Sequence, residues 1–153
     1  MALRPDATRV VLVNTYENGA TLMTTAARVS GYLAAAMATG LAIAHLSIYT
    51  VGWLNSPETP LSAYLVGGVA ISAAALGFAL GALMLVRRPS SWRKTSLTLC
   101  WTAAVLLSAQ ALLIAVAEPA LLIRIAGPGP WSLIGGPAFA VAAWRSRQVK
   151  APR

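Results

Sequence analysis

Eleven of the twelve Lys and Arg residues fall into three clusters, with apolar stretches between and beside them. Arg4, Arg9 and Arg28 precede the first stretch. Arg87, Arg88, Arg93 and Lys94 divide the second from the third, and Arg145, Arg147, Lys150 and Arg153 follow the last. Only Arg124 stands apart. Short loops rich in Lys and Arg stay on the cytoplasmic side during insertion. The spacing therefore predicts an all-α integral membrane protein with four transmembrane helices, arranged as two antiparallel hairpins with both termini inside.

Composition agrees with a membrane chain. Of 153 residues, 58% are hydrophobic and 10% charged, too apolar for an ordinary soluble domain of this length. The net charge of +8 does not make a nucleic-acid binder, because the charges flank apolar spans instead of forming a basic face with interleaved aromatics. They are topology signals that also attract anionic lipid headgroups. Arg87, Arg88, Arg93, Lys94, Arg145 and Arg147 are the expected lipid contacts, and bound phospholipid is expected with them. Ten arginines against two lysines, with abundant alanine and glycine, point to a high-GC bacterial genome and hence to a plasma (inner) membrane. The first 28 residues hold only the short apolar run 10–13, with no apolar core of signal-peptide length.

Three spans follow from length, at about residues 32–54, 61–86 and 97–117, each near or above the ~20 residues that cross ~30 Å of hydrocarbon. The linker 55–60 (NSPETP) holds two prolines that neither helix can continue through, so spans one and two form a hairpin with its tip outside. The fourth span, about 129–144, is interrupted by Gly135, Gly136 and Pro137, and GPGP at 127–130 precedes it. Two paths remain: a short or kinked crossing from about 129, with 119–125 as a small interfacial helix outside, or one tilted helix kinked at the prolines. The first is favoured. The domain layout is then a cytoplasmic segment (1–28), a transmembrane domain (29–146) and a basic cytoplasmic tail (147–153). In the first segment Asn14, Glu17, Asn18 and Gly19 should interrupt any long helix, and 9–13 reads as a short strand or interfacial turn, or as a partly ordered tail. Trp53, Trp92, Trp131 and Trp144 fall at expected water–lipid boundaries.

Inside the membrane His45 stands out, since an imidazole there needs a partner and such residues often mark function. Counted along helices running in the same direction, Gln110 reaches the same depth, and Tyr49 follows His45 by one turn. His45, Tyr49 and Gln110 therefore form the candidate polar cluster. Its readings are a proton relay, a quinone contact, one axial haem ligand shared with a partner subunit, or an interhelical hydrogen bond that fixes packing. The chain itself calls for no cofactor. One cysteine, Cys100, and one histidine supply no disulfide and no two-His metal site. No Gly-rich phosphate loop, HExxH, GxSxG or CxxC pattern occurs, so no catalytic residue is expected.

Small residues recur at helical spacing: Ala34, Ala38 and Ala42 in span one, and Gly77 and Gly81 in span two. Such stripes let helices approach closely, within the chain or against another subunit. The expected function is a non-catalytic accessory subunit that docks through these faces onto a larger membrane complex, respiratory or transport. The alternative is a small homo-oligomeric transporter, channel or lipid carrier with a pathway past His45 and Gln110. No membrane-embedded carboxylate supports proton coupling.

Overall fold

A computed structural model describes the backbone of residues 7–56, 58, 60–87, 90–124 and 127–148, with side chains from residue 25 onward except those of residues 90 and 148. Among these residues the chain is all-helical, without strands. Three helices are long and apolar enough to cross a membrane: Thr25–Asn55, Leu61–Arg87 and Arg93–Ala117. We label the helices α1 (Ala7–Asn55), α2 (Leu61–Arg87), α3 (Arg93–Ala117) and α4 (Gly129–Gln148).

Proline sets most of the boundaries. Pro60, extended at φ −64° and ψ 141°, stands immediately before α2. Glu118 is extended at φ −155° and ψ 76°, the conformation that the ring of a following proline imposes, and Pro119 opens a single 3-10 turn, Pro119–Leu122. A second 3-10 turn, Ser90–Trp92, leads into α3. The break expected at Asn14 to Gly19 is absent, and so is a strand at 9–13, because α1 runs through both. Two asparagines and a glycine cost a helix roughly 0.5–1 kcal/mol each, which the Ala-, Leu- and Val-rich sequence on either side offsets. Residues 1–6, Arg88 and residues 149–153 lie outside the described residues.

The four helices pack in a ring, α1 against α2 and α4, and α3 against α2 and α4. Short connections make neighbours antiparallel. What selects the inward face is size. The buried positions are Ala34, Ala35, Ala38, Leu41 and Ala42 on α1, Ala75, Ala79, Ala82 and Leu85 on α2, and Cys100, Ala103, Ala104 and Leu107 on α3. Their spacing of three and four residues is that of one helical face. Large apolar side chains such as Ile43, Val105, Leu112, Leu113 and Val116 point outward. That distribution suits lipid as solvent, where helices gain by close packing and not by removing apolar surface from water.

Gly135, Gly136 and Pro137 do not interrupt α4, which is helical through all three. A Cβ on Gly136 would sit 2.5 Å from Ser108 Oγ and 3.0 Å from its backbone nitrogen, and one on Gly135 would sit 3.2 Å from Leu107. The glycines therefore set the α3–α4 spacing. Phe139, fully buried, is the largest side chain in this otherwise small-residue interior.

At its N-terminus α4 is recessed. Ser132 hydrogen-bonds Gln110, roughly two turns before α3 ends. Trp131 lies against Gly40, roughly four turns before α1 ends. Trp131 is thus a packing residue at mid-helix depth and not the boundary anchor expected of it. The helix begins where the first of the two expected paths places it, although residues 119–122 form only one 3-10 turn. Gly129 fits there because it has no side chain, lying directly against the backbone of Leu121 and Leu122.

Replacing Gly136 by Val should destabilise the bundle by about 1–3 kcal/mol through overpacking, and Phe139→Ala by about 3 kcal/mol through the cavity it leaves. Thermal unfolding of the detergent-solubilised variants measures both.

Candidate functional site

The C-terminal half of α1 and the first turns of α2 bring together a group of aromatic and polar side chains. His45, Tyr49 and Trp53 recur every four residues along α1 and so share one face. Facing them, α2 winds as a π-helix over Tyr64–Ala70, a wider and less favourable winding found mostly at functional sites. Gly67 and Gly68 lie within it. A Cβ on Gly68 would stand 2.8 Å from Tyr49 Cβ, and one on Gly67 would run into the edge of the Tyr49 ring. Two glycines in sequence thus make the flat seat on which Tyr49 rests.

Three polar links tie this hairpin together. His45 Nε2 lies 2.7 Å from Gly67 O. A carbonyl only accepts, so Nε2 carries the proton and Nδ1 is the acceptor of the neutral ring. Ser72 Oγ donates to Ala42 O at 3.1 Å in the buried interior. The hydroxyls of Thr50 and Tyr64 lie 3.3 Å apart. The His45 and Tyr49 rings meet at 4.8 Å between centroids, tilted by 37°, and Trp53 stacks on Tyr64 at 5.5 Å and 27°. A groove of about 340 Å³ runs along this face, lined by Ile48, Tyr49, Gly52, Trp53 and Tyr64 among others.

The expected cluster is only half assembled. His45 and Tyr49 meet, but Gln110 is held elsewhere: its Oε1 accepts from Ser132 Oγ at 3.0 Å. Depth along the membrane was the wrong criterion, because α1 and α3 stand diagonally across the ring with α2 and α4 between them. The residues that do complete the group, Trp53, Tyr64 and Gly67, were missed. Their signal was the four-residue spacing of aromatics on α1 opposite the Gly67–Gly68 pair. The quinone reading of His45 meets an obstacle, since the N–H that a quinone oxygen would accept is already engaged with Gly67, whereas the Nδ1 lone pair that a haem iron would take is not used by that bond. Among the described residues no three of His, Cys, Asp and Glu converge.

The small-residue stripes turn inward. Ala34, Ala38 and Ala42 are buried, and a Cβ on Gly81 would lie 3.0 Å from Leu99 Cβ. They are occupied within the chain and leave no docking face. Only Gly77 opens outward, with nothing within 4 Å of the position its Cβ would take.

The basic residues collect at the opposite end. Arg93 donates to Ser146 O at 2.6 Å, joining the start of α3 to the end of α4. Arg147 stacks over Trp101 at 5.1 Å. Arg87 and Lys94 are exposed, and Arg145 is half-buried. Beside them a groove of about 570 Å³ is lined by Trp101, Ala140, Val141, Trp144 and Arg145. No protein-family profile, characterised protein or solved structure matches the chain.

His45→Ala should cost about 0.6–1.7 kcal/mol of stability, the range for an interhelical hydrogen bond in a membrane. His45→Gln, which keeps a donor, should recover part of it. Unfolding of the reconstituted protein, followed through the fluorescence of Trp53 and its neighbours, measures both.

Proposed function

We propose that the protein is a non-catalytic accessory subunit of a larger complex in a bacterial plasma membrane, crossing four times with both termini cytoplasmic. The crossing by α4 is supported by its course, since it starts beside Gln110 in the half of α3 nearer Glu118 and ends at Ser146 beside Arg93. It is supported too by the gathering of Arg28, Arg87, Arg93, Lys94, Arg145 and Arg147 at one end, with Glu58 and Glu118 at the other.

The observation that carries the accessory role is the closed interior. Alanines and Phe139 fill it, and Ser72, Gln110 and Ser132 spend their hydrogen bonds on one another or on the backbone. A chain built this way offers its specific chemistry to neighbours at its sides. The docking face differs from the small-residue stripes first expected. It is the outer half of α1, where Ile43, Ile48, Val51 and Leu54 are exposed beyond the start of α4 and the Tyr49–Trp53–Tyr64 groove adds shape and hydroxyls. A transmembrane helix of the larger subunit, apolar with a polar residue facing Tyr49 or Tyr64, would fit there. The transporter reading loses its joint site, since His45 and Gln110 serve different helix pairs.

Gentle extraction of the tagged protein from its native membrane, followed by native mass determination, should recover it in stoichiometric complex with larger subunits. Val51→Arg should release it while the isolated bundle stays folded. A homo-oligomer carrying only lipid, with flux abolished by His45→Ala, would overturn the proposal in favour of transport. A reporter active only in the cytoplasm should work when fused after residue 153 and fail when inserted at Glu58.

A further inference from the structure

The groove at the basic end combines features that select one class of ligand. Two indoles, Trp101 and Trp144, with Ala140 and Val141, make apolar walls wide enough for a hydrocarbon chain. Arg145 lines the same groove, and Arg147 lies over the Trp101 ring. Among the described side chains no carboxylate lies near these cations, since Glu58 and Glu118 belong to the far end of the bundle.

We propose that this α3–α4 groove is a specific site for an anionic phospholipid of the leaflet at the basic end. The phosphate would lie between Arg145 and Arg147, where charge-assisted hydrogen bonds to guanidinium are strong and directional. The acyl chain would run along Val141, between the Trp101 and Trp144 rings. Arg145 is half-buried, and Arg147, although exposed like Arg87 and Lys94, has its guanidinium placed over the Trp101 ring before the lipid arrives. The proposal is independent of the accessory role, since it requires only that the bundle lie in a membrane.

The test uses the full chain in mixed micelles of phosphatidylglycerol and phosphatidylcholine, with bound lipid counted by native mass spectrometry. The wild type should retain phosphatidylglycerol in preference to phosphatidylcholine. The pair R145Q/R147Q should weaken that retention roughly thirtyfold, and W144A, which removes one apolar wall of the groove, by about fivefold. The pair R87Q/K94Q, which removes equal charge from the same end, should change it less than about threefold. Unchanged elution and thermal midpoint identify variants that remain folded, and W144A tests the site even if the arginine pair does not assemble. Equal retention of the two lipids, an equal loss in R87Q/K94Q, or displacement of the lipid by inorganic phosphate would each overturn the proposal. The first two would mean diffuse attraction, and the third a site for the headgroup alone.

Discussion

Close approach of helix backbones is the constraint on which the rest of this structure depends. In lipid, bringing helices together removes no apolar surface from water, so association rests on dispersion contacts and hydrogen bonds that only short separations provide. The chain meets this with alanine on the inward faces of all four helices and with glycine where two backbones nearly touch, at Gly81 against Leu99 and at Gly136 against Ser108. The large side chains displaced from those faces go to the lipid. This reverses the arrangement of a soluble bundle, in which leucine and isoleucine occupy the centre and alanine tolerates the surface.

The same closeness explains where the polar groups act. Once two backbones are near, a short side chain on one helix reaches a carbonyl on the next, as Ser72 does to Ala42 and His45 does to Gly67. Each link satisfies a group that would otherwise be stranded in hydrocarbon and fixes the vertical register of the pair. Arg93 does this at the membrane boundary, supplying a cation to a carbonyl in the last turn of α4, where the helix dipole favours positive charge. Two hydrogen bonds at different heights on the α1–α2 pair, with the stacked Trp53 and Tyr64 above them, leave that hairpin little freedom to slide.

Hydropathy located α2, α3 and the end of α1 to within a few residues, because twenty apolar residues in a row admit few other structures, but α1 begins at Ala7, well before residue 32. For α4 the expected bounds of about 129–144 lie close to Gly129–Gln148, but the interruption expected at Gly135, Gly136 and Pro137 is absent. Gly135, Gly136 and Pro137 weaken a helix in isolation, yet in a bundle the two glycines are what allows the helix to nest against its neighbour, and Pro137 gives up a single N–H that the interior does not need. Side-chain partners were less legible. Counting rise per residue placed His45 and Gln110 at one depth, but depth carries no information about which helices adjoin. In a ring of four antiparallel helices the first and third are never neighbours. The pairing of His45 with a backbone carbonyl could not be read from residue types, since every residue has one.

The recessed start of α4 bears on the bilayer itself. On the proposed topology, the flank formed by α1 and α2 presents hydrocarbon-compatible surface for nearly the full height of the molecule. The flank where α4 is exposed presents it only from the level of Ser132 to that of Ser146, with the Pro119–Leu122 turn packed against the start of the helix. One membrane thickness cannot match both. Lipids must shorten beside α4, or the whole bundle must lean toward its short side, and either response costs a fraction of a kcal/mol per Å of mismatch. The protein is in that sense a wedge. A second protein with a short hydrophobic belt would relieve the strain by standing against the thin flank, so the bilayer can bias which neighbours gather there before any side chain makes contact.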